Sequence, residues 1–229
     1  MSPGQALPPD ANESAKLSEI LNRAYLLYER QRYYIDYDLI RSLFEKFPQN
    51  QDRDVVYAKV DTLDRVYSTQ LYRRKTKAGR RARYAMAGHI VSSGIDGLLE
   101  SGSVVAVKAI RSGHGILANG KEIDLYSFAT KYCHLHKPES YPIFDSNVKK
   151  ALSWLRRTFP LAVGQHDKNR GDFDKDYDVL HETIDVVRSF LGGEDYHKID
   201  AALYLLGGRL PTAGVKSISP DLETSDWEL

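Results

Sequence analysis

A chain of 229 residues with 42% apolar and 28% charged residues can bury one substantial core or two small lobes, which excludes a disordered chain. Its formal net charge of +1 gives no overall attraction to a polyanion, so any nucleic-acid contact must come from local clustering. Cys133 is the single cysteine, which rules out an intramolecular disulfide; with no secretory leader pattern and no apolar run of membrane-spanning length, the reading is a soluble, cytoplasmic protein.

Residues 1–12, rich in Pro and small side chains, read as a flexible N-terminus, and 209–229, with two prolines and many polar residues, as a flexible tail. Between them, 13–208 form a single helical unit or two lobes with a cleft between. Leu17, Ile20, Leu21, Ala24, Leu27 and Tyr28 follow the three-four spacing of an amphipathic helix. A second helix fits Asp38 to Phe47, stopped by Pro48, and a third Val55 to Leu71. Ala78 to Leu99 reads as one long helix in spite of Gly88 and Gly94. The Val-rich stretch 104–110 is the candidate for a short strand. After a glycine-rich link at 112–120, helices are expected at Leu125–His136, Ser146–Phe159, Asp174–Leu191 and Tyr196–Gly207. The fold class is mainly α.

Charge is unevenly placed. Arg73, Arg74, Lys75, Lys77, Arg80, Arg81 and Arg83 fall within one acid-free stretch, and Lys149 and Lys150 follow a later helix start. These basic groups are candidates for contact with a DNA backbone, although a solvated helix face is the ordinary fate of such a run.

The chemistry-bearing stretch begins at Tyr126 and reads as a helix, a proline-bounded extended turn, and an acid at the start of the next helix. On the first helix Ser127, Lys131 and His134 share a polar face. The turn and helix start run Pro142-Ile143-Phe144-Asp145-Ser146-Asn147-Val148-Lys149-Lys150. His134 and His136, two apart on a helix, point in different directions, and no Cys-x-x-Cys or His-x-x-x-His spacing supports a metal site. No metal or cofactor is expected.

This segment resembles the catalytic element of helix-hairpin-helix DNA glycosylases, in which a helix, a Pro-apolar-Asp turn and an Asp-Thr/Ser-x-Val helix follow one another. The later run Ile199-Asp200-Ala201-Ala202-Leu203-Tyr204 is similar to a C-terminal helix of those proteins. The resemblance implies a hydrolase that binds double-stranded DNA, flips a damaged or modified base and cleaves its N-glycosidic bond. Asp145 would stabilise the sugar cation and orient water. It implies a cleft lined from Lys131, Ser127, Tyr126, Tyr132, His134, Tyr67, Ser68 and Gln70, with Thr69 a further hydrogen-bonding candidate.

The chain departs from the family's pattern in three places. The phosphate-gripping hairpin is replaced by Gly113-His114-Gly115-Ile116-Leu117-Ala118-Asn119-Gly120, and the cysteines of an iron-sulfur cluster are absent. Where bifunctional members carry a Schiff-base lysine, this chain has Tyr126 and Ser127. Lys131 lies about 6 Å further along the helix axis, which predicts a monofunctional, water-using enzyme.

Asp145 is equally an ordinary N-cap, and both roles can coexist. Two alternatives stay open from sequence: a non-catalytic nucleic-acid-binding protein of the same fold, or a helical interaction protein in which the basic run is incidental.

Overall fold

The computed structural model describes residues 11–30, 34–67, 69, 71, 77–113, 117–118, 121–122, 124–163, 172–193 and 195–210. In chain order these form α1 (Ala11–Arg30), α2 (Tyr34–Lys46), α3 (Arg53–Tyr67), α4 (Lys77–Ser92), α5 (Asp96–Ser101) and α6 (Val105–Arg111). A two-residue hairpin, β1 (Leu117–Ala118) and β2 (Lys121–Glu122), follows, with Leu117 opposite Glu122. Then come α7 (Tyr126–His136), α8 (Ser146–Thr158), α9 (Pro160–Val163), α10 (Tyr177–Ser189) and α11 (Tyr196–Arg209). The mainly α class is thus the observed one. Among the described residues no helix is long and apolar enough to cross a membrane.

The stripe expected on the first helix is buried as a unit on α1, and packs against α11. α11 in turn lies on α8, α3 lies on α4, and α7 is flanked by α2, α3 and α6. One apolar cluster runs through all of these, from Leu17 on α1 to Leu206 on α11. Each fully buried Leu or Ile in it contributes about 1.5–3 kcal/mol of transfer free energy. The central helix is α7. Tyr126 and Phe128 to Leu135 are all buried, so its polar members Thr130, Lys131 and His134 must find partners inside the protein.

Two predicted elements differ. The stretch 104–110 is helical, because a strand would send Ala106, Val107 and Ile110 to opposite faces, whereas α6 gathers all three into the core and leaves Val105 and Lys108 outside. The long helix expected over 78–99 is two helices. Gly94 adopts a left-handed backbone (φ 59°) that ends α4 and lets α5 start in a new direction. Gly88 stays helical, for a packing reason: a Cβ there would lie 2.8 Å from the Arg53 guanidinium, which reaches across from α3 and stacks on Tyr84, 3.8 Å from the ring centre.

One glycine fixes the geometry that matters most. A Cβ on Gly207 would fall 1.9 Å from the carbonyl oxygen of Asn147, so α11 touches the backbone of α8's first turn at that point. No other residue permits this approach without moving one helix off the other.

Candidate active site

Asp145 has an extended backbone (φ −150°, ψ −176°) and caps α8, its Oδ1 accepting from the N–H groups of Asn147 and Val148, both at 2.9 Å. Its other oxygen is turned to α7. Oδ2 stands 3.5 Å from Lys131 Nζ, which also donates to Ser127 Oγ at 2.8 Å. The capping role and a second role are therefore divided between the two oxygens of one carboxylate. Lys131 is 5% exposed in its side chain and Asp145 16%. Burial lowers the Lys131 pKa from its ordinary value, with the Asp145 carboxylate pulling the other way.

The extended turn before Asp145 is fastened by side chains from three helices. Both oxygens of Asp200, on α11, accept from Ile143 N–H, at 3.1 and 3.0 Å. Thr130, on α7, accepts from Phe144 N–H at 3.0 Å, and Tyr177, on α10, donates to the Pro142 carbonyl at 3.2 Å. His134 Nδ1 donates to the Tyr141 carbonyl at 2.7 Å while Tyr37 donates to its Nε2 at 3.3 Å. Burial lowers His134 to about 3, which keeps it a neutral donor–acceptor. The same burial pushes the Asp200 carboxyl up, against the pull of the Ile143 hydrogen bonds.

Two cavities open on this elbow. The larger, about 560 Å³, is lined by Tyr67, Thr69, Ser127, Lys131 and Asp145 among others; the smaller, about 220 Å³, shares Tyr67, Lys131 and Asp145 and adds Tyr28, Tyr37 and His197. Val66 and Tyr204, both partly exposed, border both. Lys131 and Asp145 thus form a shared wall.

The expected cleft residues divide. Ser127, Lys131, Tyr67, Thr69 and Asp145 meet at the cavities. Tyr126, Tyr132 and His134 do not line them: Tyr126 is buried against Phe144 and donates to the Phe173 carbonyl, and Tyr132 packs on Phe44 and donates to Asn50 at 2.6 Å. His134 serves the turn instead. Ser68 and Gln70 lie outside the described residues. Lys131, one turn beyond Ser127 on α7, reaches back with its long side chain to Ser127 Oγ and brings Nζ to the Asp145 carboxylate.

The basic candidates divide similarly. Arg73, Arg74 and Lys75 lie outside the described residues, as does the side chain of Lys77, while Arg80 and Arg81 are exposed on α4. Arg83 is a correction: 5% exposed, it is paired with Asp61 at 2.7 Å and Asp64 at 3.3 Å on α3, so its charge is consumed inside the protein. Lys149 pairs with Asp174, and Lys150 is half-buried.

Sequence reasoning missed Tyr37, His197 and the role of Asp200. Only Asp200 carried a local signal: a lone acid within the apolar run Ile199 to Leu203, all of which is buried. Among the described residues no cluster of His, Cys, Asp and Glu could hold a metal ion.

No solved structure matches the chain. It is 30% identical over 153 residues to an uncharacterized protein of Haemophilus influenzae, an alignment covering 66% of this chain and 66% of that protein's length. A family model described as an N-terminal domain, HI_0787_N, matches residues 17–140, a span that contains Tyr67, Ser127 and Lys131 and stops short of Asp145. The chain belongs to the HI_0787_N family.

Proposed function

We propose that this protein is a DNA glycosylase-like hydrolase, acting in the cytoplasm on double-stranded DNA that carries a damaged or modified base. The supporting observation is the divided carboxylate of Asp145: one oxygen is tied down by the α8 backbone and the other meets Lys131, both residues lining the two cavities. Cleavage of an N-glycosidic bond builds positive charge on the sugar, and a carboxylate held in place beforehand stabilises that charge without reorganising. The bonding pair leaves with the base, water attacks the sugar carbon, and its proton is lost to solvent or to Asp145. The base reaches the site by leaving the stack. Arg80 and Arg81 are the described exposed residues of the basic run that can meet phosphates. The test is a panel of duplexes with different modified bases, assayed for free base. Release from at least one duplex is expected, and no release by folded protein that still binds DNA would favour the non-catalytic alternative.

A second reading concerns the nucleophile and rests on the position of Lys131. A buried amine with a lowered pKa, 3.5 Å from a carboxylate, is suited to attack as the neutral amine. Its nitrogen would bond to the sugar carbon as the glycosidic pair leaves with the base, the amine giving up a proton to Asp145 or solvent; ring opening then gives a Schiff base, and loss of the C2′ proton expels the 3′ phosphate. Borohydride distinguishes the two. Intact abasic sites that break only in alkali indicate water, whereas a trapped protein–DNA adduct that disappears in Lys131→Ala indicates the lysine.

A further inference from the structure

The larger cavity holds a serine to which base excision gives no chemical step. Ser127 is the second residue of α7, half-buried, with its Oγ 2.8 Å from Lys131 Nζ. The two are four residues apart on one helix, so the backbone itself keeps them neighbours. Among the residues lining this cavity, Lys131 alone carries a basic nitrogen. Its amine is nearly sealed from solvent, 5.6 Å from the centre of the Tyr67 ring and 3.5 Å from the Asp145 carboxylate.

A hydroxyl at hydrogen-bond distance from a buried amine is an arrangement that activates serine as a nucleophile. Burial lowers the Lys131 pKa, which favours the neutral amine able to take the hydroxyl proton. Asp145 then faces the ammonium that forms, the part a carboxylate plays behind a general base. Ser127 and Phe128 both line the cavity from the first turn of α7, where backbone N–H groups have no acceptor within the helix. Such donors beside a nucleophile are what a carbonyl oxygen needs as it gains charge. The nearby Asp124 carboxylate is already bound by Arg111 at 2.8 Å. Val66, Leu125 and Phe128 give the space an apolar side, and at about 560 Å³ it admits a short acyl chain with its leaving group.

We propose that Ser127 is the nucleophile of an acyl-transfer site, with Lys131 as its general base, and that the site hydrolyses neutral esters of short acyl chains. The inference rests on the Ser127–Lys131 pair and not on the base-excision reading. Lys131 takes the hydroxyl proton as Oγ bonds to the carbonyl carbon and the carbonyl electron pair moves onto its oxygen. On collapse the ester C–O bond breaks, and the departing alcohol takes the proton from Lys131. Water then attacks the acyl carbon and gives a proton to Lys131. The bond from that carbon to Oγ breaks, the proton returns to Ser127, and the acid leaves.

The experiment is incubation of the full chain with a fluorophosphonate, which phosphonylates an activated serine and expels fluoride, followed by intact mass and peptide mapping. One adduct, on Ser127, is expected. Ser127→Ala should abolish it, whereas Ser146→Ala, at another serine of the same cavity, should label as the unaltered chain does. Lys131→Met should slow labelling by about a hundredfold or more, and Lys131→Arg should not restore it, because a guanidinium keeps its proton. p-Nitrophenyl acetate should be hydrolysed with an initial burst that disappears in Ser127→Ala. Thermal melts establish that each variant is folded. No adduct on the unaltered chain, an adduct that survives Ser127→Ala, or labelling indifferent to Lys131 would overturn the assignment. Base release from duplexes is scored separately: labelling without base release keeps the acyl-transfer site and discards excision, and base release without labelling does the reverse.

Discussion

Among the described residues two lysines are buried, Lys59 on α3 and Lys131 on α7, and their surroundings differ sharply. Lys59 has no solvent exposure and lines neither of the two cavities: its Nζ donates to the Gln49 carbonyl at 3.1 Å and to Asn50 Oδ1 at 3.0 Å, with His136 Nε2 at 3.5 Å. Asn50 is itself held by Asp96 and by Tyr132. This is a closed network that joins α3, α5, α7 and the segment before α3. Lys131 has a carboxylate for a partner and two cavities in front of it. Burial lowers the pKa of both, so a perturbed lysine is not in itself the mark of an active site. Access to a ligand is what separates them.

The largest expected effect lies on the Lys131 side. Asp145→Asn should reduce base release by about two orders of magnitude or more, with little change in stability, since Asn caps a helix about as well as Asp. Rates on a cleavable duplex, together with a urea melt, check both halves. Full activity in the folded variant would remove Asp145 from the chemistry and leave it a cap.

Next in size is an exchange of consequences between the lysines. Lys59→Met should cost about 1–3 kcal/mol, because the Gln49 carbonyl loses a donor and Asn50 Oδ1 is left with the Tyr132 hydroxyl alone. Lys131→Met should cost less than about 1 kcal/mol while altering catalysis or borohydride trapping, since its polar partners are at a cavity wall. Equal losses of stability would dissolve the distinction.

The distinction also has a pH signature. Burial lowers Lys59 from 10.5 to about 8, so between those values the unfolded chain binds more protons than the folded one, and stability rises with pH. Lys59→Met should flatten the rise between pH 8 and about 10, measured from denaturation midpoints. At the acid end His134 and His136 are both lowered to about 3 by burial, so stability should fall as pH drops from about 6.5 toward that value.

The smallest effect contrasts basic groups that face out and in. Arg80→Gln with Arg81→Gln should weaken DNA binding and reduce the salt slope by about one for each phosphate that is no longer neutralised. Arg83→Gln should leave the slope alone and destabilise the fold, because Asp61 and Asp64 are deprived of their partner. A slope that follows Arg83 would show that the basic run meets DNA in a way its packing does not suggest.

What was legible in the sequence was what short-range physics writes there. The start of α8 could be read from Asp145-Ser146-Asn147-Val148, because capping is decided within three residues, and the buried stripe of α1 follows from spacing alone. The proximity of Lys131 to Asp145 could not be read, since it depends on where a tertiary turn returns the chain. Arg83 looked like its neighbours because the two acids that claim it lie on α3, 19 and 22 residues away in sequence. The Val-rich α6 is too short for its composition to separate strand from helix; only the positions of its buried residues do so.

Asp200 and Gly207 lie seven residues apart on α11, hence on one face of that helix and about 10 Å apart along it. The first grips Ile143 and the second admits Asn147, so α11 acts as a gauge block for the segment that carries Asp145. Its calibration is an integer number of residues. Inserting one between 200 and 207 would turn the glycine through about 100° and bring Leu206 to the place where only a hydrogen fits. The distance between the acid and the amine is thereby set by helical register, and it tolerates changes of residue far better than changes of count.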